Sequence, residues 1–361
     1  MDSNDYIMWL SRSLNHNSKK IYYLLERFKT PDRVFKAEYS DFLAIKGLKP
    51  EVLKNMEIGR SLIEAWKKEL ESENIEFISF LDKRYPQRLR NLYIPPAGIY
   101  IKGRLPDEKD TLLSIIGSRR CSEYGKIVAR KFSSELASKG IWIVSGMAAG
   151  IDSAGNRAAI EAGGRTIAVL GFGHRHCYPS GNEALMESIA KNGCLISEYP
   201  PDTRPEPFYF PQRNSIIAGI SDGVLVVEAA KRSGALITAD IAAECGRTVM
   251  AVPSNITNIN GEGSNSLIKQ GCCMVTEVED ILLELGIESV KRTADTALNK
   301  SRSNLTDEEE RILKLINSEP VGFEYIINET GFEVQNLQSV LMLLEIKGLI
   351  EKLPGGRFMK K

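Results

Sequence analysis

The 361-residue sequence lacks the marks of several large protein classes. Lys and Arg together number 47, as do Asp and Glu, so the chain carries no net charge. Nucleic-acid-binding proteins are usually basic, so any such site here must be a local patch. No apolar run is long enough to cross a bilayer. The first residues include Asp2 and Asp5 and no apolar segment, unlike a signal peptide. These absences predict a cytoplasmic protein.

The sequence also lacks the motifs of nucleotide hydrolysis and of metal binding. It contains neither the dinucleotide fingerprint G-x-G-x-x-G nor a GxxxxGK[ST] phosphate loop, so no cofactor is predicted. The six cysteines contain no CxxC pair, which predicts buried, reduced thiols. His174, His176 and Cys177 lie together, but a cluster without a matching second group of ligands rarely binds a metal, and no metal is predicted. No evident Ser/His/Asp or Cys/His set occurs.

The middle of the chain alternates short apolar runs with helical stretches. The runs of strand length are 112–116, 141–144, 166–170, 224–227 and 249–252. The helical stretches between them are 123–139, 152–162, 182–191 and 235–245. Continuous apolar strands separated by helices predict an α/β fold, with a parallel sheet that helices cover on both faces. Ligands of such sheets bind at the carboxyl ends of the strands.

The core is predicted to span residues 75–290 and to include an extended lead-in with one strand. Residues 1–72 have helical spacing, and Gly47 joins two short helices there. This pattern fits either a SAM-like or helix-hairpin-helix domain, whose turn offers N–H groups to a phosphate, or a small packing domain. Residues 291–304 are predicted to form a linker. Residues 305–361 are predicted to be a winged helix, with helices at 306–317, 323–330 and 334–347 before a Gly-Gly hairpin.

Glycine-rich loops follow the first three strands, at 117–120, 145–152 and 171–174. Glycine lets the backbone approach a ligand closely, and the N–H groups at a helix N-terminus attract anions. Arg119 adds a forked cation suited to phosphate. Any one of these loops could simply end a strand and cap a helix. Together they favour an anion site, for which the loops supply Gly117, Ser118, Arg119, Arg120, Gly146, Gly150 and Gly173.

Two further clusters lie later in the core. Three aromatics, Phe208 to Phe210, precede Arg213 and Asn214. These rings either form a stacking platform for unstacked bases or belong to the core, whereas Arg213 is predicted to be functional. Ser233 and Gly234 are predicted to start a helix at a strand end, another anion-facing N-terminus, beside the basic residues 231 and 232.

Ordered blocks of the core resemble those of the DprA/Smf (DNA-processing protein A) family. They are 116–119, 144–152, 161–170, 197–200, 210–214, 227–229 and 232–234. The lead-in at 85–103 is also similar, and the flanking domains resemble the family's variable additions.

The resemblance implies an extended Rossmann-like core that dimerises, binds single-stranded DNA and helps to load RecA recombinase during DNA uptake and recombination. A single-strand-binding protein is a further partner, and no enzymatic activity is implied. The implied phosphate contacts are Gly117, Ser118 and Arg119, with Gly146, Gly150, Arg213 and Asn214 nearby. Many relatives have a basic residue where this chain has Ser180, and Arg175 or His174 are the candidates to replace it. The predicted dimer surface comprises Leu267, Ile268, Met274 and Val275.

Two other functions remain open at this point. Related Rossmann cores of the lysine-decarboxylase-like family cleave nucleoside monophosphates, which would use Glu228, but their Pro-Gly-Gly-x-Gly-Thr loop is absent. A transcription regulator would use the winged helix, whose third helix offers Gln335, Asn336 and Gln338. From residue 305 onward, the sequence contains ten acidic and seven basic residues. This excess disfavours duplex DNA and predicts a protein-docking or regulatory module.

Overall fold

The structure is a computed structural model that describes residues 1–43, 45, 48–287, 306–316, 321–346, 349–353 and 356–360. The chain forms two compact units, residues 1–287 and 288–361. Gly47, the predicted turn of a helix-hairpin-helix, and the predicted linker 291–304 lie outside the described residues. Within those residues, none of the helices combines the length and the apolar composition that crossing a membrane requires.

Five helices form the N-terminal part of the first unit. They are α1 (Ser3–Ser13), α2 (Ser18–Phe28), α3 (Pro31–Lys36), α4 (Tyr39–Leu43) and α5 (Pro50–Ser72). Asp2 caps α1, because its side chain accepts from the Asp5 N–H while the Asp5 carboxylate accepts from the Asp2 N–H. The apolar faces of these helices share one core with Phe77 and Tyr100 of the sheet. The predicted boundary near residue 72 therefore falls inside one compact unit.

A nine-stranded sheet follows. Its strands are β1 (Glu76–Ser79), β2 (Gly98–Gly103), β3 (Leu112–Gly117), β4 (Trp142–Ser145), β5 (Thr166–Leu170), β6 (Cys194–Ser197), β7 (Gly223–Glu228), β8 (Thr248–Ala251) and β9 (Cys273–Met274). The strand order is β1-β2-β6-β5-β4-β3-β7-β8-β9. Seven strands, from β6 to β9 in this order, are parallel, while β2 pairs antiparallel with β6 and with β1.

Seven helices accompany this sheet. They are α6 (Glu123–Ser138), α7 (Ile151–Glu161), α8 (Glu183–Asn192), α9 (Tyr209–Ile220), α10 (Gly234–Glu244), α11 (Glu262–Lys269) and α12 (Val278–Glu284). Alternate side chains of β3 enter different cores: Leu112 and Ile116 pack in one cluster, and Leu113 and Ile115 in another. Because both faces are buried, the strands are apolar throughout, which is why their positions were predictable.

The predicted Rossmann-like α/β core is confirmed, with one correction to the sheet. The five predicted strands are present within one or two residues of their expected positions. The sheet is mixed rather than wholly parallel, because the lead-in contributes two strands at one edge: β2 runs antiparallel to β6, and β1 runs antiparallel to β2. Strand β6 itself was not among the predicted strands.

The second unit is the winged helix that the sequence predicted. Its elements are α13 (Asp307–Leu315), β10 (Val321–Gly322), α14 (Phe323–Thr330), α15 (Val334–Ile346), β11 (Ile350–Leu353) and β12 (Arg357–Lys360). The strands pair in the order β10-β12-β11. Thr306 and Glu309 form a capping box at the start of α13. Leu337, Val340, Leu341 and Leu344 of α15 fill the core of this unit, whereas Gln335, Asn336 and Gln338 are exposed.

Candidate nucleic-acid interface

The order of the parallel strands reverses direction at β3. From β3 the chain proceeds through β4, β5 and β6 on one side, and then returns to place β7 and β8 on the other. In α/β sheets, the crevice outside the strand ends at such a switch point is the usual ligand site. A cavity of about 270 Å³ lies there. Its lining includes Gly117, Arg119, Ala148, Asp152, Arg213, Asn214, Ser233, Gly234 and Thr238. We call it the switch-point pocket.

Arg119 is the exposed cation of this pocket. Its guanidinium carbon lies 5.0 Å from the centroid of the Phe210 ring, a cation–π contact that orients the side chain. Within the described part of the chain, no carboxylate forms an ion pair with Arg119. Its charge is therefore available to a ligand anion. The adjacent Arg120 is also exposed, and its N–H donates to the Ser118 hydroxyl, 3.2 Å away.

Arg213 lies beneath the pocket, not on its rim. Its side chain is buried, and Nη1 donates to the carbonyl oxygens of Gly146, at 2.6 Å, and of Val169. Burial lowers the pKa of Arg213 to about 10, although nearby Asp152 opposes this shift. A Cβ at residue 146 would collide with the guanidinium, so Gly146 makes room for it. Arg213 thus joins the ends of β4 and β5 below the pocket floor.

The N–H groups around the second loop already have a partner from the chain itself. The buried Asp152 carboxylate accepts a hydrogen bond from the Gly146 N–H at 3.1 Å, and the N–H groups of Gly117 and Ala148 also stabilise its charge. Burial nevertheless raises the pKa of Asp152, against the effect of Arg213. These donors therefore serve a carboxylate of the chain itself. Gly150 has φ +88° and lies against the Ser118 carbonyl, where a side chain would not fit.

The N-terminus of α10 forms the opposite side of the pocket. Ser233 caps this helix, since its hydroxyl accepts from the Ala235 N–H at 3.3 Å. A Cβ at Gly234 would meet only open space, so the backbone there is accessible. The Asn214 side-chain amide donates to the Gly234 carbonyl at 3.3 Å and connects α9 to α10. The positive end of the α10 dipole thus adds to the charge of Arg119.

Partly exposed aromatic side chains lie next to Phe210, the ring that Arg119 contacts, or just before it in the chain. The rings of Tyr178 and Phe210 are 5.3 Å apart, and Tyr178 is 46% exposed. Phe208 is 57% exposed and lies 4.2 Å from the Tyr209 ring. Phe210 packs between Arg119 and the core, whereas Phe208 faces solvent. A stacking role for these rings stays a prediction. Tyr178 was not among the predicted site residues, although an aromatic residue in a loop at a strand end was a usable signal.

The third loop does not contribute to this pocket. Arg175 donates to Glu73 and lies 2.9 Å from Glu69, so carboxylates at the end of α5 hold it. His174 is buried, its Nε2 lies 3.4 Å from the Leu195 carbonyl, and burial lowers its pKa to about 4. Gly173 packs against the carbonyls of residues 200 and 201. Neither Arg175 nor His174 takes the place of a basic residue at Ser180.

Glu228 and the histidines of the third loop are the residues that nucleotide cleavage and metal binding would use. Glu228, the residue a nucleotide-cleaving enzyme would use, is 1% exposed and accepts from the Ser122 N–H at 2.8 Å and from the Asn258 amide at 2.7 Å. Its oxygens thus hold two loops together. Across the described residues, no three His, Cys, Asp or Glu side chains are grouped to bind a metal. His176 Nε2 lies 3.0 Å from the Asp202 carbonyl.

Comparison with known proteins decides the family. The sequence profile of DNA recombination-mediator protein A matches residues 76–286, which is more than half of the chain. The chain belongs to this family. The profile of the DprA winged helix domain matches residues 296–356, so it begins inside the predicted linker. The DprA/Smf resemblance of the sequence is thereby confirmed.

Curated relatives and solved structures agree with this assignment. The chain is 41% identical to the DNA processing protein DprA of Bacillus subtilis over 61% of this chain and 75% of that protein. It is 36% identical to protein Smf of Escherichia coli over 80% of this chain and 78% of that protein. The DprA structure from Streptococcus pneumoniae superimposes with a TM-score of 0.68 at 35% identity, covering 78% of this chain and 97% of that one. A structure of DprA from Helicobacter pylori concerns its single-stranded DNA binding mode. It superimposes with a TM-score of 0.52 at 27% identity, covering 58% of this chain and 95% of that one.

Proposed function

We propose that this protein binds single-stranded DNA at the switch-point pocket and acts as a recombination mediator. The observation that carries the proposal is the exposed guanidinium of Arg119 over the Phe210 ring, with the half-exposed Tyr178 ring 5.3 Å from that ring. A phosphate meets the cation and the α10 N-terminus, while unstacked bases meet the rings. Membership of the family and the relative from Helicobacter pylori support the same ligand.

The proposed contact residues fall into two groups. Arg119, Arg120, Asn214, Ser233 and Gly234 face the strand, together with Gly117 and Ser118 at the end of β3. Arg213, Gly146 and Gly150 shape the pocket from below, because their own atoms meet other parts of the chain. Gly173 and Arg175 are not part of the proposed site. Gly173 packs against the carbonyls of residues 200 and 201, and Arg175 pairs with carboxylates at the end of α5.

The function is proposed to be binding rather than catalysis. A mediator holds a strand and passes it to a recombinase, so RecA is the proposed partner, and this step needs no bond cleavage. Glu228, the carboxylate that a nucleotide-cleaving relative would need, is buried and doubly hydrogen-bonded. Release of ribose 5-phosphate from AMP by the purified protein would contradict this part of the proposal.

We also propose a homodimer. Leu267 and Val275 are buried core residues, but Met274 is 51% exposed and Leu283 of α12 is 78% exposed. These two side chains are therefore the better candidates for a dimer contact at the end of the core. Sedimentation at micromolar concentration should show a dimer, and a strictly monomeric protein would oppose this assignment.

The test of the main proposal is a titration with single-stranded and duplex DNA of equal length across a salt series. Tighter binding of the single strand by the full chain is expected because only unpaired bases expose faces for stacking. Equal or tighter binding of the duplex would contradict the proposal.

A further inference from the structure

A second surface with exposed rings lies along the N-terminal helices. A cavity of about 740 Å³ is lined by Lys19, Tyr22 and Tyr23 of α2, by Phe80 after β1, and by Arg90 and Tyr93 of the segment before β2. We call these six residues the aromatic groove. The proposed function uses none of them.

The groove has the composition of a single-strand binding surface. Tyr93 is 96% exposed and Tyr23 is 48% exposed, so two rings face solvent without a covering element in the described structure. The Tyr22 hydroxyl is buried and has no hydrogen-bond partner among the described residues. Lys19 and Arg90 supply two cations, against a single carboxylate in this lining, Glu26. Rings combined with cations bind unstacked bases and their phosphates.

The aromatic groove adjoins a cleft that reaches the same helix as the switch-point pocket. This cleft, also of about 740 Å³, shares Lys19 and Tyr93 with the groove and is lined by Pro211, Gln212 and Ser215 of α9. The intervening residues of α9, Arg213 and Asn214, line the switch-point pocket on another side of the helix. A strand that occupies both sites therefore has to pass around the first turns of α9.

The cleft that adjoins the aromatic groove is lined mainly by uncharged polar side chains. Side-chain amides of Asn91 and Gln212 line it, and such groups donate to and accept from base edges. Glu198 also lines it, but its Oε1 accepts from the Ser18 hydroxyl at 3.0 Å, and burial raises its pKa to about 7. Glu244 is the second carboxylate of this lining. Contacts in the cleft are thus expected through base edges, while the phosphates meet Arg119 in the switch-point pocket and Lys19 in the groove.

We propose that a single strand bound at the switch-point pocket continues past the first turns of α9 into the aromatic groove, where its bases stack on Tyr93 and Tyr23 and Lys19 contacts its backbone. This inference rests on the proposed function and extends it. The footprint of the protein then includes the N-terminal helices, and affinity rises with strand length until the groove is filled.

The test compares two lengths of labelled oligothymidylate by fluorescence anisotropy with the full chain. Sites of this kind cover roughly 4–16 nucleotides, so strands of about 6 and about 20 nucleotides separate the pocket from the pocket plus groove. Tyr93→Ala and Lys19→Ala should weaken binding of the long strand about five- to tenfold and leave the short strand unchanged. Tyr39→Ala is the matched control, since Tyr39 of α4 is 50% exposed and lines neither cavity.

Each outcome separates this inference from the proposed function. If wild-type protein binds no single strand at either length, the proposed function and the inference both fail. If it binds both lengths equally, or if Tyr93→Ala behaves like Tyr39→Ala, the strand does not enter the groove, and only the inference fails. Photo-crosslinking of the long strand carrying 5-iodouracil should also yield peptides containing Tyr93 or Tyr23. Crosslinks confined to the peptide of Tyr178 or Phe210 would leave the groove to another kind of partner and overturn the inference.

Discussion

Two strand-end loops of the sheet, after β3 and after β5, both contain glycine and arginine, yet they differ in what their arginines meet. Arg119, after β3, is exposed and rests on the Phe210 ring. Arg175, after β5, is held by Glu69 and Glu73 at the end of α5. The composition of a loop therefore does not establish an anion site. The elements that pack against the loop decide whether its charge remains available.

The buried arginine that joins the ends of β4 and β5 gives the largest expected effect. Arg213→Met leaves the Gly146 and Val169 carbonyls without their donor. Leaving a buried acceptor without a partner costs about 1–3 kcal/mol for each group. Urea denaturation should show this loss, with Arg120→Met, at an exposed position, as the control. A loss no greater than that of the control would mean that Arg213 is not a structural brace.

Acid should destabilise the fold at the third loop through His174. The folded pKa of His174, about 4, lies below its ordinary value of 6.5, so between these values the unfolded chain binds more protons than the folded one. The stability from neutral His174 is present above pH 6.5 and is lost as the pH falls toward 4, by about 3 kcal/mol at most. His174→Gln should flatten this part of the stability–pH curve. His176→Gln should not, and an unchanged slope in His174→Gln would disprove the assignment.

Substitution of Arg119 tests the first loop directly. Arg119→Ala should weaken binding of every single-stranded sequence alike, about tenfold, and reduce the salt slope by about one phosphate contact. Stability should hardly change, because the side chain is exposed. Filter binding across a salt series measures both quantities. If affinity and slope match those of the wild type, Arg119 does not belong to the site.

Arg175→Ala is the matching substitution in the loop after β5 and should have no effect on DNA binding. Single-strand affinity and salt slope should stay at the wild-type values, because Glu69 and Glu73 already neutralise this guanidinium. The loss of stability should be about 0–1 kcal/mol, since the pair is partly exposed and screened. A drop in affinity similar to that of Arg119→Ala would abolish the distinction between the loops.

Removal of the winged helix should have the smallest effect. The exposed Gln335 and Asn336 lie among exposed acids such as Glu308 and Glu333, which repel phosphates. A chain ending at Asn304 should therefore bind single-stranded and duplex DNA as the full chain does, which agrees with a docking or regulatory role for this unit. Loss of duplex binding, or steeply salt-dependent duplex binding by residues 305–361 alone, would make the unit a DNA reader.

Much of the fold could be predicted from the sequence because buried parallel strands are continuously apolar. Strand β5, Thr166–Leu170, and helix α14, Phe323–Thr330, lie at their predicted bounds. The antiparallel pairing of β2 with β6 was not predictable, because hydrophobic runs do not reveal strand direction.

The site was predictable only in part. Gly117, Arg119, Arg213, Asn214, Ser233 and Gly234 do line one pocket, since strand ends of a parallel sheet converge. The pairing of Arg175 was hidden, because Glu73 lies 102 residues away in the chain. The burial of Arg213 was hidden too, since a motif does not show which side of a helix meets the core. Asp152 is the last residue of the second loop, and the hydrogen bond that its carboxylate accepts from the Gly146 N–H was not predicted.

The carboxylate of Asp152 has a consequence for the free protein. A loop whose N–H groups had to wait for a phosphate would become ordered only when a strand arrived, and binding would bear that entropic cost. Here the chain satisfies Gly146 with its own side chain. The backbone under the pocket is thus preorganised, and the free and bound conformations of this loop should coincide. Arg119, whose side chain already lies over the Phe210 ring, adds little to this ordering cost.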